Sequence, residues 1–439
     1  MDNKPPSATI AIQRGGSMNA TLTPPWFVTQ TEYPRKAATF GLLINGENAF
    51  LAIHQAIEAA QKTVCIICWG FQPSMYFIRD GKNPSIGELL EKKAREGIKV
   101  RVLCWSQEVK TDWTTVNVVG LGDEPNNSGR RYLEPKGRLE GMTDQQFDYS
   151  RQWFDLYDAQ TDSAIKRKIR SIYQGITNDT SMQNLVFRSR GFSAPDRALI
   201  ATKSYLDKEV SKTTRFWLAT VATHHQKMVL VDHESADDAI GFVMGHNMLD
   251  WYWDTSAHAM HGRPYAPNRG PSAPLPREDF SSRVTGPILE DLYDNFQAAW
   301  NKALQDEPGH APPDPLPKRS GVAYKQKPRP GDTPLVAQIV RTQPQMGLTD
   351  IQTMYLKVVK NATQLIYIEN QYFRWQPLAD CIKDHAKKMS QWGRTPEEHG
   401  KLYLFVITNT SDQGMGSGAQ NTQRMLESLG SGAALPAPV

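Results

Sequence analysis

Helical patterns and short apolar runs alternate along the first hundred residues. The stretch NGENAFLAIHQAIEAAQKT places Phe50, Ile53 and Ile57 on one face of a helix, and the apolar run VCIICWGF (64–71) follows it at once. GELLEKKAREG has the pattern of a second helix, and IKVRVLCW (98–105) that of a second strand. This helix–strand–helix–strand order predicts an α/β sandwich with parallel strands.

The same pattern returns near the end of the chain. TDIQTMYLKVVKNATQLIYIENQYF (349–373) repeats the helix, the turn and the strand with its aromatic end. ADCIKDHAKKM and KLYLFVIT then repeat the second helix and the second strand. An internal duplication of this kind predicts two similar α/β halves packed side by side.

The pattern also divides the chain into segments. We predict an N-terminal extension over 1–40, a first half over 41–305, a Pro-rich linker over 306–334 and the start of a second half over 335–439. Within the first half, 140–212 interrupt the alternation with polar, aromatic-studded helical patterns, which predict a helical insertion over the edge of the sheet. The insertion is either a solvated cap or a lid that faces the substrate, and the sequence favours neither.

Charge and hydropathy change this picture little. The chain has 439 residues, with 50 basic and 46 acidic side chains and a net charge of +4. Such a weak excess does not require a nucleic-acid partner. No run approaches the ~18 apolar residues of a membrane span, and the N-terminus lacks an apolar core of signal-peptide length. We therefore expect synthesis as a soluble protein, with any export by a route that needs no Sec signal.

The candidate chemistry lies in THHQKMVLVD (223–232). Its apolar run predicts a buried strand, yet the stretch opens with two histidines and a lysine. Because alternate side chains of a strand share a face, His225 and Lys227 point the same way. Asp232 has the opposite parity and lies at the far end, where we expect an orienting or structural carboxylate. The next predicted strand, IGFVMGHNML, brings Asn247 toward the same end of the sheet as His225.

Histidine, lysine and asparagine together suit a phosphate ester. An imidazole can attack phosphorus and form a phosphohistidine intermediate, while an ammonium and an amide hold the non-bridging oxygens as charge builds on them. This chemistry requires neither a metal nor another cofactor. Seen alone, an H-x-K is more often a strand-end histidine with a surface lysine, so the length of the match decides.

The match is long. His225, Lys227, Asp232, Gly245 and Asn247 together fit the H-x-K-x-x-x-x-D signature and the trailing Gly–Asn strand of the phospholipase D superfamily. REDFSSRVTGPILEDLYDNFQAAW and IYIENQYF resemble segments of the same family, and Met244 departs from its usual small residue. The segments PPWFVTQTEYPRKAATF and CWGFQPSMYFIRDG resemble the phospholipase D-type lipase effectors of bacterial type VI secretion.

The resemblance implies a phospholipase D-like fold of two pseudo-symmetric halves, each supplying one signature to a shared site. It implies that one histidine is the nucleophile and the other the general acid, with His225, Lys227 and Asn247 catalytic and Asp232 supporting. The implied reaction is hydrolysis of the distal phosphodiester of a glycerophospholipid to phosphatidic acid and a free headgroup. A nuclease, a phosphatidyltransferase such as a cardiolipin synthase, and an inactive or recognition half remain alternatives.

The second half has no counterpart of the signature, and the tail from Ser411 onward contains no histidine. We therefore expect a C-terminal partner that carries the second signature, on a separate chain or on a segment beyond this sequence. The other expected partners are membrane phospholipid, an immunity protein and a secretion-machinery component, with no nucleic acid. The resemblance to effectors implies a toxin made in the bacterial cytoplasm and delivered to the periplasm or host cytoplasm of a target cell.

Overall fold

The computed structural model describes residues 8–11, 19–22, 26–105, 108–110, 115–117, 143–159, 180–202, 222–259, 276–306, 314–319, 321–408 and 416–430. The strands are β1 (Ala8–Ala11), β2 (Asn19–Leu22), β3 (Lys36–Ile44), β4 (Thr63–Cys68), β5 (Lys99–Trp105), β6 (Glu108–Lys110), β7 (Thr115–Asn117), β8 (Leu185–Arg190), β9 (Met228–Val231), β10 (Ile240–Met244), β11 (Phe280–Thr285), β12 (Thr333–Ala337), β13 (Thr342–Gln343), β14 (Leu348–Thr349), β15 (Leu365–Glu369) and β16 (Tyr403–Ile407). The α-helices are α1 (Asn45–Glu58), α2 (Ile86–Arg95), α3 (Asp144–Tyr157), α4 (Ser181–Asn184), α5 (Ala194–Thr202), α6 (Leu289–Asp306), α7 (Asp350–Val359), α8 (Gln376–Gln391), α9 (Pro396–His399) and α10 (Gly416–Ser428).

An eight-stranded sheet organises the first half, in the order β12-β3-β11-β10-β9-β4-β5-β8. The predicted α/β sandwich is confirmed, but the prediction of parallel strands holds only for β4, β5 and β8. β9 runs antiparallel to β4, and antiparallel pairing continues through β10, β11, β3 and β12. Helical crossovers make the first pairs parallel, whereas the short connection from β9 to β10 makes a hairpin.

Several strands of this sheet end or begin on the same side. We call this row of strand ends the site edge. β4, β5, β8 and β10 end there, while β9 and β11 begin there. Side chains at the ends of distant sequence segments therefore meet.

Helices cover both faces of the sheet. On one face α1, α2 and α3 pack over β4 and β5, and the helix α2 begins at a capping box formed by Ser85 and Glu88. On the other face α6 buries Leu289, Leu292, Phe296 and Trp300 against the sheet. All four residues of β9 are buried, as its apolar sequence predicted.

The segment predicted as a helical insertion also supplies a strand. α3 and α5 agree with the helical patterns, but β8 lies between them and pairs in parallel with β5. Leu185 and Phe187 face the core under α1 to α3, and Val186 faces the core under α6. The outermost strand β8 therefore packs apolar side chains on both faces of the sheet. The helix predicted for SAIKRKIRSIYQGI lies outside the described residues.

The second half repeats the order of the first. α7, β15, α8 and β16 occur in this order, with the short helix α9 before β16, and β15 pairs in parallel with β16 as β4 does with β5. The start of the predicted second half differs, because β12 pairs with β3 at the edge of the large sheet. The preceding Pro-rich stretch also packs on the first half, where Leu316 and Tyr324 join the core under α6. Among the described helices, none combines the length and apolar character that a bilayer crossing requires.

Asp232 fastens the end of β9 to the start of β4. Its carboxylate accepts backbone hydrogen bonds from Gln61 at 2.9 Å, Lys62 at 2.7 Å and Thr63 at 3.0 Å. The residue is 2% exposed and has a φ of 50°, a left-handed conformation that aspartate tolerates better than most residues. It lies at the opposite edge of the sheet from Lys227, roughly 16 Å away along an extended chain. Its role is structural, at a distance from the site edge.

Replacing Asp232 with Ala is expected to lower the free energy of unfolding by about 2 kcal/mol or more, because backbone donors at the start of β4 lose their acceptor. Asp232→Asn keeps one carbonyl acceptor and is expected to lose less. Urea unfolding measures both, with Asp237→Ala in the neighbouring loop as a control for loss of an acidic side chain. Equal stability of Asp232→Ala and the control would contradict this role.

Candidate active site

The predicted site residues divide between the two edges of the sheet. His225 and Lys227 immediately precede β9 and therefore lie at the site edge. Asn247 follows β10 and reaches the same edge, whereas Asp232 lies at the opposite one. The signature strand is shorter than the sequence suggested, since His225 and Lys227 stand just outside its paired residues.

His225 and Lys227 are in contact. Lys227 Nζ lies 3.3 Å from Nδ1 and 3.2 Å from Nε2 of His225, so the ammonium can donate to whichever ring nitrogen carries no proton. Lys227 is 6% exposed, whereas His225 as a whole residue is exposed. The pair therefore presents a reactive imidazole at the surface with a charge directly behind it.

The protonation states of this pair follow from its surroundings. The protein atoms around the His225 ring, and after them the Lys227 ammonium, lower the pKa of the imidazole below its ordinary value. Burial lowers the pKa of Lys227 to about 8, against a smaller opposite effect of Asp279. At neutral pH the imidazole is thus unprotonated, as a nucleophile must be, while the lysine remains largely charged.

The charge of Lys227 has no ion-pair partner among the described residues. Asp279, just before β11, acts on it electrostatically, yet burial raises the pKa of that carboxyl. The position of Asp279 also requires glycine at position 245, because a Cβ there would lie 2.0 Å from Asp279 Oδ1 and 2.6 Å from the carbonyl oxygen of Phe280. A buried ammonium that lacks a full counter-charge is suited to binding an anion.

Asn247 ties two loops together at the site edge. Its Oδ1 accepts a hydrogen bond from the backbone N–H of Gly70, 3.1 Å away in the loop after β4. The residue is fully buried, and its Nδ2 has no acceptor among the described residues. The amide therefore keeps an unused donor beside the signature.

The neighbouring histidines are held elsewhere. His224 stacks on Phe192 at 3.9 Å between ring centroids, and burial lowers its pKa well below the usual range. His246 forms a hydrogen bond with Ser281 at 2.8 Å. Each ring is packed inside the fold, which leaves His225 as the exposed imidazole of the signature.

Sequence reasoning missed several residues at this edge. Trp105 ends β5, Trp69 directly follows the neighbouring strand β4, and their rings stack with the centroids 5.5 Å apart. The rings of Trp69 and His225 meet edge to face, with their centroids 5.9 Å apart. The repeated Cys-Trp at the ends of both predicted strands was a signal for this pair. Asp279 and Arg190 were missed too, the latter because its segment was predicted to be helical.

No cluster of three or more His, Cys, Asp or Glu side chains suited to a metal occurs within the described residues. The donors at the site edge are an imidazole, an ammonium and an amide, a set better suited to holding oxyanions than cations.

Comparisons with known proteins point to the same superfamily as the signature, although the family model matches a part of the chain that precedes it. A family model described as Phospholipase D matches residues 56–134, the part that contains β4, α2 and β5. The chain is 26% identical over 453 residues to "Phospholipase D alpha 1" of Zea mays, covering 90% of this chain and 46% of that protein. It is 25% identical over 410 residues to "Phospholipase D alpha 1" of Oryza sativa subsp. japonica, covering 80% and 41%.

The chain thus spans less than half the length of these relatives. A superposition on "NucT from Helicobacter pylori" covers 62% of this chain and 95% of that chain at 9% identity, with a TM-score of 0.24, too low to support an argument. Taken with the family match, the relatives show that this chain carries a phospholipase D superfamily domain and is a distant homologue of plant phospholipases D.

Proposed function

We propose that this chain supplies half of the active site of a phospholipase D, which hydrolyses the distal phosphodiester of glycerophospholipids. The observation that carries the proposal is the buried ammonium of Lys227, which has no ion-pair partner among the described residues and contacts the exposed, unprotonated imidazole of His225. A phosphodiester anion at the site edge neutralises that ammonium. The likeness to plant phospholipases D supports a lipid rather than another phosphodiester.

The proposed reaction begins when a phosphate oxygen accepts a hydrogen bond from Lys227. The ammonium then turns from the ring of His225, and the ring lone pair becomes free to attack phosphorus. The phosphorus–oxygen bond to the headgroup breaks as the bond to nitrogen forms, and a proton donor on the far side protonates the departing oxygen. Water then cleaves the phosphohistidine and releases phosphatidic acid.

One histidine cannot stand on both sides of the phosphorus, so a second signature is required. The fold of the second half supports a completing polypeptide. Tyr367 and Phe405 are 57% and 55% exposed, and they share one face of β15 and β16 with a further apolar set. That set is Leu365, Tyr403 and Ile407.

In the first half, α6 covers the matching face. Cys65 and Ile67 of β4 and Leu103 of β5 belong to the core beneath α6, and they hold the positions equivalent to the exposed residues of β15 and β16. By this internal repeat, the proposed partner covers the exposed face with a helix equivalent to α6. Delivery of the assembled enzyme into a target cell, with an immunity protein, stays a prediction from the sequence resemblance.

Replacing His225 with Ala in the assembled enzyme is expected to reduce lipid hydrolysis about a thousandfold or more, because the nucleophile or its acid partner is lost. His224→Ala, in the packed ring next to it, is expected to retain a larger share at the same thermal unfolding temperature. Release of headgroup from mixed phospholipid vesicles in EDTA measures both, with plasmid DNA as a second substrate. Substantial hydrolysis by His225→Ala, or consumption of DNA instead of lipid, would count against the proposal.

The pKa of Lys227 predicts how binding depends on pH. Its folded value of about 8 lies below the ordinary value, so the charge is present below pH 8 and is lost as pH rises through it. Diethyl phosphate stays a monoanion over this range, and its affinity is expected to fall about tenfold between pH 7 and pH 9.5. Calorimetric titration measures it, with exposed Lys325→Ala as a control. Unchanged affinity across pH would rule out Lys227 as the anion donor.

The exposed face of the second half gives a separate test. The chain alone is expected to show little lipid hydrolysis, and co-expression with a polypeptide that carries a second H-x-K-x-x-x-x-D signature and covers this face is expected to restore it. Phe405→Asp should block this rescue, since it places a charge in the proposed contact, whereas Trp392→Asp, at a residue 72% exposed elsewhere, should not. Full turnover by the isolated monomer would refute the need for a partner.

A further inference from the structure

Arg190 is a half-buried cation at the site edge. It ends β8, and its Nη2 donates to Gln226 Oε1 at 2.7 Å. No carboxylate within the described part of the chain forms an ion pair with it. A guanidinium offers five N–H donors, so most of its hydrogen-bonding capacity is unused by the contacts around it.

The hydrogen-bond network that contains Arg190 also includes a second arginine. Gln226 Nε2 donates to Asn295 Oδ1 at 3.1 Å, and the same oxygen accepts from Arg341 Nη1 at 2.9 Å. Arg341 is itself paired with Glu32. Burial, and after it the charge of Arg341, lowers the pKa of Arg190 to about 9. The surroundings thus disfavour the charge of Arg190 rather than compensate it.

Two routes connect Arg190 to the proposed reaction site. Gln226, its partner, stands between His225 and Lys227 in the sequence. Along the strand ends, Arg190 is the register partner of Trp105, which stacks on Trp69, whose edge meets His225. A substrate with its phosphodiester at His225 that extends toward β8 therefore passes the tryptophan pair and reaches the guanidinium.

We infer that Arg190 binds a second anionic group on the headgroup of the substrate and thereby selects lipids that carry one. The inference rests on the proposed function, because it assumes that His225 and Lys227 hold the scissile phosphodiester. The diacylglycerol side of a glycerophospholipid carries no anion, so the second anionic group must belong to the headgroup. A carboxylate and a phosphodiester each present two oxygens that can accept a pair of hydrogen bonds from one guanidinium, so either group fits. A trimethylammonium headgroup meets repulsion at the same place.

Soluble deacylated lipids test this without membranes or turnover. All four ligands carry one phosphodiester and differ in the headgroup: glycerophosphoserine adds a carboxylate, deacylated cardiolipin adds a second phosphodiester, glycerophosphoglycerol has an uncharged headgroup and glycerophosphocholine a cationic one. Titration calorimetry of the full chain is expected to show that at least one of the first two binds about tenfold or more tightly than glycerophosphoglycerol, the gain from one charge-assisted pair. Which of the two gains identifies the anion as carboxylate or phosphate.

Arg190→Gln is expected to remove that gain and leave glycerophosphoglycerol unchanged, while Arg190→Lys keeps part of it through its charge. Arg95→Gln removes the same charge near the opposite end of the strands and should retain the full preference. Thermal unfolding of each variant confirms that the fold is intact. Equal binding of all four ligands by the wild type, or a preference that survives Arg190→Gln, would overturn the inference.

The same titrations separate this inference from the proposed function. Lys227→Ala should weaken all four ligands together, because they share the phosphodiester. If the wild-type chain bound none of them, the phosphodiester site itself would be refuted along with the role of Arg190. If it bound all four equally and lost them in Lys227→Ala, the role of Arg190 alone would fall.

Discussion

The site depends on one electrostatic constraint, the burial of the Lys227 ammonium without a full counter-charge. Removing an ammonium from water costs several kcal/mol unless an anion or good acceptors compensate it. The half-buried Asp279 compensates only in part, and the ammonium also contacts the neutral ring of His225 at 3.2 Å. The fold must supply that free energy from elsewhere, which the apolar faces of β9 and the helices around it can do. A buried charge without a full counter-charge is typical of a functional site in which a bound anion supplies the opposite charge.

Strand direction turns this local constraint into a site. Three parallel strands deliver Trp69, Trp105 and Arg190 to the site edge at their carboxyl ends. β9 runs antiparallel to β4 and begins at this edge just after Lys227, and β10 returns to the same edge and ends shortly before Asn247. In a wholly parallel sheet the start of β9 would lie at the opposite edge, and Asp232 would lie at the site edge instead. The switch from parallel to antiparallel pairing between β4 and β9 is thus what places the reactive pair beside the tryptophans.

Local patterns in the sequence predicted much of this architecture, and long-range pairing accounts for the rest. Apolar periodicity predicted α1, β4, α2 and β5 and their repetition in the second half, because the spacing of apolar residues within each element marks the face that is buried. It did not predict that β12 joins the first sheet, since Pro334 and the Pro-rich stretch before it have the composition of a linker. The H-x-K spacing correctly predicted that His225 and Lys227 share a side. No local signal showed that Arg190, in a segment rich in helical patterns, would end an edge strand beside them.

The central claim is that the site edge holds a phosphodiester between His225, Lys227 and Asn247. A crystal structure of the chain with tungstate tests it most directly, because tungsten locates a bound oxyanion by its anomalous scattering. We predict tungstate with one oxygen within hydrogen-bond distance of Lys227 Nζ and the tungsten facing the His225 ring. Tungstate bound only elsewhere, with the site edge empty in crystals that contain it, would contradict the account.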